Sequence, residues 1–558
     1  MRTNLAISLV LLVSFACSRP KNELKEKSEP SPRIVNIINF IRQVEPRIES
    51  ITEDVLYETV VQQVNQLNQY ELPATFLLQY DALINPRYQE LLKNGLFKGS
   101  EVGAWWEITQ PHVEAAGYSW RGRYPWDWHA NVGFATGYTP DERKKLVDVY
   151  MEKFREIFGK YPTAVGSWFI DEVTLGYLSD KYHIIASCNC KDQIGTDGYT
   201  LWGGYWNQAY YPSRGNAYMP AQSEAGQIPV PIFRMLGSDP IYQYDNGLGT
   251  DFQRVESLEP VYKKGGGSRS WVEWFFKNMF GESCLAFAYA QAGQENSFTW
   301  EKMKTDLEIQ IPMLASLSKE KKIRVETLSE SGAWFRNNFQ VTPPTAVTAL
   351  TDHKNQDKKT VWYNSRFYRV NLLWEGSSFR FRDIHVFNEG MESDYLRIAG
   401  TTTDCLYTTL PVVDGFLWSK PDALAGLRLM SKDKAGVVAE VKGGVPVVKE
   451  MENGVLKVEW PLENESGTLV LLFFEDRMEA DCRLPKGFSW FLEMKTASGA
   501  ELPFTALTDT LLSASLRGFD YSVSCSTGKL VDGRGNVSNA FAWRIVPEKN
   551  LIVLGMVQ

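Results

Sequence analysis

Chemistry in this sequence gathers where apolar runs end on acids. The stretch Ala164 to Leu178, AVGSWFIDEVTLGYL, closes an apolar run with Asp171 and Glu172 beside Trp168 and Phe169, and a helical pattern follows. A carboxylate at the carboxyl end of a buried parallel strand is where α/β enzymes put reacting groups. A second such end is EVGAWWEI (101–108), in which Trp105 and Trp106 precede Glu107. Glu45, Asp81, Asp192, Asp239 and Glu295 recur in or after similar runs. Clustered carboxylates with aromatic walls suit hydrolysis of a glycosidic bond, one carboxyl protonating the leaving oxygen while the second acts as nucleophile or as base toward water. Burial and the neighbour's charge would raise the pKa of the acid. Asp171 and Glu107 are the leading pair. Trp105, Trp106, Trp126, Trp168 and Trp202 would supply stacking surfaces, and Asp127, His129, Asp192, Arg234 and Asp239 would bind hydroxyls.

Such acids need a scaffold that brings strand ends together. From residue 33 to about 345 the chain alternates short apolar runs (33–41, 74–83, 101–108, 164–171, 183–190, 230–236 and 283–293) with helical patterns. In TPDERKKLVDVYMEKFREIFG, Thr139 can cap, Pro140 suits the first turn, Asp141 and Glu142 favour the helix start, and Gly159 closes it. Thr52 caps a second helix, and Pro312 predicts a kink or break in a third. Alternating strands and helices imply a parallel sheet, and about seven units in this length suggest a closed or nearly closed (β/α)7-type barrel. From about residue 346 to 558, period-two patterns broken by Gly, Asn and Asp turns read as antiparallel β-sandwich material in an accessory role.

A chain of 558 residues is too long for one ordinary core. Asp and Glu (67) outnumber Lys and Arg (59), with no basic block in the folded part, which argues against a nucleic-acid partner. Residues 1–17 read as a secretory signal whose Ser14-Phe15-Ala16-Cys17 ending resembles the lipobox of bacterial lipoproteins, so Cys17 would be lipidated and residues 18–32 would tether the body to a membrane. Location is then exported, in the periplasm or at the cell surface. The remaining cysteines read as buried thiols with at most one or two bridges. Eighteen Trp and twenty-five Tyr in an exported acidic protein point to an oligo- or polysaccharide partner, whose apolar C–H faces stack on rings.

Three smaller groups have two readings each. The WDWH stretch (126–129) either contacts substrate or packs its own loop. No cofactor is expected, but His112, Asp127 and His129 are the alternative as ligands of a divalent metal. The run Gly195-Thr196-Asp197-Gly198 through Gly204 lacks the lysine of a phosphate loop and reads as a lid over a ligand. Cys188-Asn189-Cys190 reads as core.

The order of ATFLLQYDAL and KGSEVGAWWEI after a first strand resembles the glycoside hydrolase/deacetylase β/α-barrel superfamily over about the first 340 residues. WDWH, CKDQIGTDGYTLWGGYWNQAYYPS and FRMLGSDPIYQYD are similar to a family of secreted bacterial proteins whose domain has no known function. The resemblance implies the barrel, and it implies either deacetylation, with an Asp pair after the first strand and two histidines holding a metal, or glycoside hydrolysis, with a nucleophile at the end of the fourth strand, where Asp171 stands. The sequence departs from the first pattern: NFIRQVEP occupies the place of the Asp pair, and Trp105 the place of the first metal histidine. Glycoside hydrolysis is therefore preferred. A metal-dependent deacetylase with an atypical site, or a surface glycan-binding lipoprotein without catalysis, is the alternative.

Overall fold

The computed structural model describes residues 24–463, 467–532 and 543–557. Cys17 and the signal segment lie outside the described residues. All seven apolar runs contain a strand: β1 (Arg33–Ile41), β2 (Thr75–Leu78), β3 (Glu101–Trp105), β4 (Ala164–Gly166), β5 (Ala186–Asn189), β6 (Ile232–Arg234) and β7 (Ala288–Ala292). They are parallel and lie in the order β7-β1-β2-β3-β4-β5-β6. Nearly every residue in them is buried, as expected of strands covered on both faces. The long first strand serves two neighbours: Ile34–Asn36 pair with β8 (Arg324–Glu326), and from Ile38 onward the same edge pairs with β2. β6 and β7 are not paired strand to strand. Ala209–Tyr210 runs antiparallel on β6, and the Leu236 N–H donates to Gln291 Oε1 of β7 (2.8 Å) across the opening. The barrel is thus nearly closed.

Six main helices flank it: α1 (Glu53–Gln69), α2 (Pro140–Phe158), α3 (Glu172–Tyr182), α4 (Arg269–Gly281), α5 (Trp300–Lys319) and α6 (Leu328–Asn338). Thr139 and Glu142 form a full capping box at α2, and Gly159 ends it at φ 76°, a left-handed conformation natural to glycine. Pro312 does not break α5, contrary to expectation. The carbonyl it leaves without a donor belongs to Glu308, on the exposed side of the helix where water can bond it.

The C-terminal half is β throughout. A ten-stranded antiparallel sheet begins at Thr345–Ala349, and an eight-stranded one runs from Val447–Glu450 to Leu551–Gly555 in its pairing order with Phe504–Leu507 at the far edge. Strands such as Thr468–Phe473 alternate buried and half-buried residues, the pattern of a sheet with one packed face. The two halves are knitted together. Cys405–Thr408 pairs in parallel with Tyr199–Trp202 of the barrel's long insert, and Trp206 stacks on Trp362 at 4.4 Å. Lys25–Lys27, expected to be loose tether, instead bond to the backbone of Glu450 and Glu452. Among the described residues no helix is long and apolar enough to cross a membrane. The six described cysteines are buried thiols, none bridged.

Candidate functional site

A cavity of about 360 Å3 opens where β1, β4, β5, β6 and β7 end. Its aromatic walls are Trp126, Trp128, Trp168, Phe134, Tyr199 and Tyr262, and its charged groups are Arg42, Glu45, Arg47, Lys191, Asp197, Glu259, Glu295 and Lys302. The position follows from the topology, since residues immediately after parallel strands share one rim. Arg42 is the first residue past β1, Lys191 the second past β5, and Glu295 the third past β7.

Arg42 organises the floor. Its Nε and Nη2 donate to Glu107 Oε2 (3.0 Å) and Oε1 (2.7 Å), its Nη1 donates to Glu295 Oε1 (2.9 Å), and its guanidinium lies 4.1 Å from the Trp126 ring centroid. Gln79 Nε2 also donates to Glu107 Oε2. Glu295 Oε1 additionally accepts from the Ser297 hydroxyl, while Oε2 has no partner. Burial pushes the Glu295 carboxyl up to about 7 against the pull of Arg42, with Glu107 adding to the rise. At neutral pH this side chain is poised between acid and base.

Of the other carboxylates that line the cavity, Glu259 and Glu45 are held in ion pairs. Glu259 is ion-paired with Lys191 and accepts from Ser257 Oγ (3.0 Å) and Gln294 Nε2 (2.7 Å). Glu45 accepts from Nε and Nη2 of Arg47, which hold it below the usual range although burial alone would raise it. Above them stands the hairpin formed by Gln193–Thr196 and Tyr199–Trp202, turned at Asp197 (φ 52°) and Gly198 (φ 75°), the two positive φ values that a tight type I′ turn requires. Thr196, Asp197 and Tyr199 line the cavity, so the turn of the glycine-rich run borders the mouth.

The expected site residues divide. Trp126 and Trp168 line the cavity. Glu107 lies beneath it, with both oxygens bonded to Arg42. Trp105 is core, stacked on Phe40 at 4.1 Å, Trp106 packs on His112 and Tyr150, and Trp202 is buried at the junction with its Nε1 on Asp414 (2.7 Å). Asp171 caps α3: Oδ1 accepts from Thr174 N–H (2.9 Å) and Arg143 Nη1 (3.0 Å), and Oδ2 accepts from Thr174 Oγ1 (2.6 Å). It is absent from the cavity lining, so the expected pairing of Asp171 with Glu107 does not describe this mouth. Asp192 is locked between Arg234 and Arg369, and Asp239 between Trp271, His353 and two backbone N–H groups; through Arg369 and His353 the two aspartates tie the barrel to the C-terminal half. Asp127 is bound by Arg123, whose donors bring it down to about 2 against the effect of burial, and His129 sits beside it, outside the lining.

The divalent metal implied by the deacetylase pattern finds no ligands here. His112 is buried against Tyr80 (4.6 Å) with Nε2 on the Leu146 carbonyl (2.8 Å), apart from Asp127 and His129, and burial lowers its pKa to about 4. The place after β1 carries a guanidinium instead of two carboxylates. Among the described residues no three His, Cys, Asp or Glu side chains converge on one point.

No family model matches this sequence, and no curated protein matches it. A solved structure from Parabacteroides distasonis, whose description as a glycoside hydrolase/deacetylase is itself provisional, superposes with a TM-score of 0.51 at 15% identity, over 69% of this chain and 91% of that one. The two proteins share one fold. Fainter likenesses, too distant to argue from, are a provisionally described polysaccharide deacetylase of Mycobacterium smegmatis (TM-score 0.35, 13% identity, 57% of this chain and 97% of that one) and a peptidoglycan deacetylase of Bacillus subtilis (0.25, 12%, 56% and 96%). Sharing this fold fixes the scaffold, and the chemistry has to come from the mouth.

Sequence reasoning missed Arg42, Arg47, Trp128, Lys191, Glu259 and Tyr262. Trp128 was inside WDWH and Lys191 beside Asp192, so position alone could have found them. Glu259 lies in a stretch without regular secondary structure and carries no periodic signal.

Proposed function

We propose that the mouth binds a glycan and hydrolyses a glycosidic bond, with Glu295 as the proton donor and Glu259 as the second carboxylate. The observation that carries this reading is Glu295 Oε2: a buried carboxyl oxygen without a partner, on a residue lining a cavity walled by Trp126, Trp128 and Trp168. An acid placed so can protonate a leaving oxygen, and tryptophan faces hold sugar rings. Glu259, bound by Lys191, Ser257 and Gln294, is fixed in the same cavity and acts on the anomeric carbon directly or through water. The fold of the Parabacteroides protein is compatible with this chemistry and with deacetylation alike. From the N-terminal sequence alone, the protein is read as exported and lipid-anchored at Cys17, facing polysaccharide outside the cytoplasm.

The test is a panel of bacterial and plant polysaccharides assayed in parallel for new reducing ends and for released acetate, with wild type and Glu295→Gln. Reducing ends formed by wild type and lost in the variant support the hydrolase. Acetate release without reducing ends replaces it with a deacetylase, and binding by both proteins with neither product makes it a glycan-binding lipoprotein. Globomycin sensitivity and a Cys17→Ser change that frees the protein from membranes would test the anchor.

A further inference from the structure

We infer that Arg42, braced by Glu107, is a positioning residue that confines the proton of Glu295 to Oε2, so that the mouth is served by a built-in cation. This deepens the assignment of Glu295 as proton donor and rests on it. The argument is one of hydrogen-bond valence. Glu295 Oε1 accepts from Arg42 Nη1 (2.9 Å) and from the Ser297 hydroxyl, so a proton there would face two donors. Oε2 is left as the oxygen that carries the proton, and no protein group accepts from it. Arg42 cannot swing away: Glu107 takes its Nε and Nη2 in a two-point fork, and Trp126 covers its face at 4.1 Å. Glu107 in turn is fixed by Gln79. The fork therefore orients the acid without consuming the oxygen that donates.

The charged groups around Glu295 are Arg42, Glu107 and Arg47 close by, with Glu45, Glu259, Lys191 and Lys302 also lining the cavity. Glu107 opposes ionisation of Glu295, whereas Arg42, Ser297 and Arg47 favour it. Removing the Glu107 charge must lower the titration midpoint of Glu295 and removing the Ser297 hydroxyl must raise it.

Infrared difference titration of the full chain, each protein against its own Glu295→Gln counterpart, isolates the protonated Glu295 carbonyl band and requires no turnover. Wild type should titrate near neutrality. Glu107→Gln should move the midpoint down by about one unit, and Ser297→Ala should move it up and shift the carbonyl band to higher frequency as Oε1 loses a donor. Midpoints that stay fixed in both variants, or that move in the opposite senses, overturn the positioning role. If Glu107→Gln does not fold, the Ser297→Ala shift and band frequency decide the matter alone. Shifts as expected in a protein that releases no reducing ends would uphold the positioning and reject the hydrolase; the reverse result would reject the positioning alone. Where turnover is found, its alkaline limb should move with these midpoints, since the donor is active only when protonated, and turnover should be indifferent to EDTA.

Discussion

The barrel mouth and the seam between the barrel and the C-terminal sheet are both rich in buried acids, and they treat them differently. At the seam Asp192 takes Arg234, Arg369 and the Tyr218 hydroxyl, Asp383 takes Arg369 and the Tyr244 hydroxyl, and Asp414 takes Trp202 and backbone N–H groups. Opposite charges hold Asp192 below the usual carboxylate range even though burial alone would raise it. At the mouth Glu295 shares one cation with Glu107, keeps one oxygen free and is pushed up to about 7. Buried acids are ordinary when their partners are complete; an acid left incomplete beside a cavity marks a site.

Turnover should break the two regions apart most widely. Glu295→Gln is expected to lower the rate on a glycan substrate by about 10²- to 10⁴-fold, the range for losing a general acid, while ligand affinity persists. Arg369→Ala at the seam should instead strip Asp192 and Asp383 of their shared partner and cost about 3 to 5 kcal/mol of folding stability, read by chemical denaturation. If Glu295→Gln unfolds the protein, or Arg369→Ala is tolerated, the distinction between site and seam fails.

Glu172 sharpens the same contrast, because it is incomplete and yet does not line the mouth. It is buried beside Asp171, its Oε1 has no partner, and burial raises it to about 8. A folded-state pKa above the unfolded one means the folded form binds the extra proton, so stability is greatest at low pH and falls as pH rises from about 4.5 toward 8. At pH 7 the penalty is roughly 3 kcal/mol, taking about 1.4 kcal/mol per unit over that interval. Glu172→Gln should therefore stabilise the protein near neutrality by up to that amount and flatten the pH dependence, leaving turnover unchanged. A loss of turnover would extend the site to this acid.

How much of this was legible follows from range. The seven strands could be read because each is a short buried run with its own turn signals, and the helix caps because Thr139, Glu142 and Gly159 act within a few residues of themselves. Asp171 was legible too, as an acid three residues before Thr174 at the start of a helical pattern, which is an N-cap signature; its place at a strand end invited the catalytic reading. The site itself depends on Arg42 meeting Glu107 and Glu295, 65 and 253 residues away, and no spacing along the chain encodes such a meeting. Nor could composition tell which tryptophans face a ligand, since Trp105 and Trp168 differ only in which side of one packed cluster they occupy.

The smallest expected effect tests that last division among the rings. Trp128 lines the cavity, with Tyr124 stacked at 5.8 Å and the Arg123 guanidinium 4.6 Å from its ring centroid, while Trp202 is sealed in the seam with its N–H on Asp414. Trp128→Ala removes one stacking face, worth about 0.5 to 1.5 kcal/mol, so binding of an oligosaccharide should weaken roughly two- to tenfold with the melting temperature little changed. Trp202→Ala should act the other way round, lowering the melting temperature by opening a cavity in the core and exposing the buried Asp414 to solvent. Calorimetric titration and thermal unfolding of the two variants side by side separate rings that hold ligand from rings that hold the protein together; equal effects on both would mean that the aromatic mouth is packing and the glycan binds elsewhere.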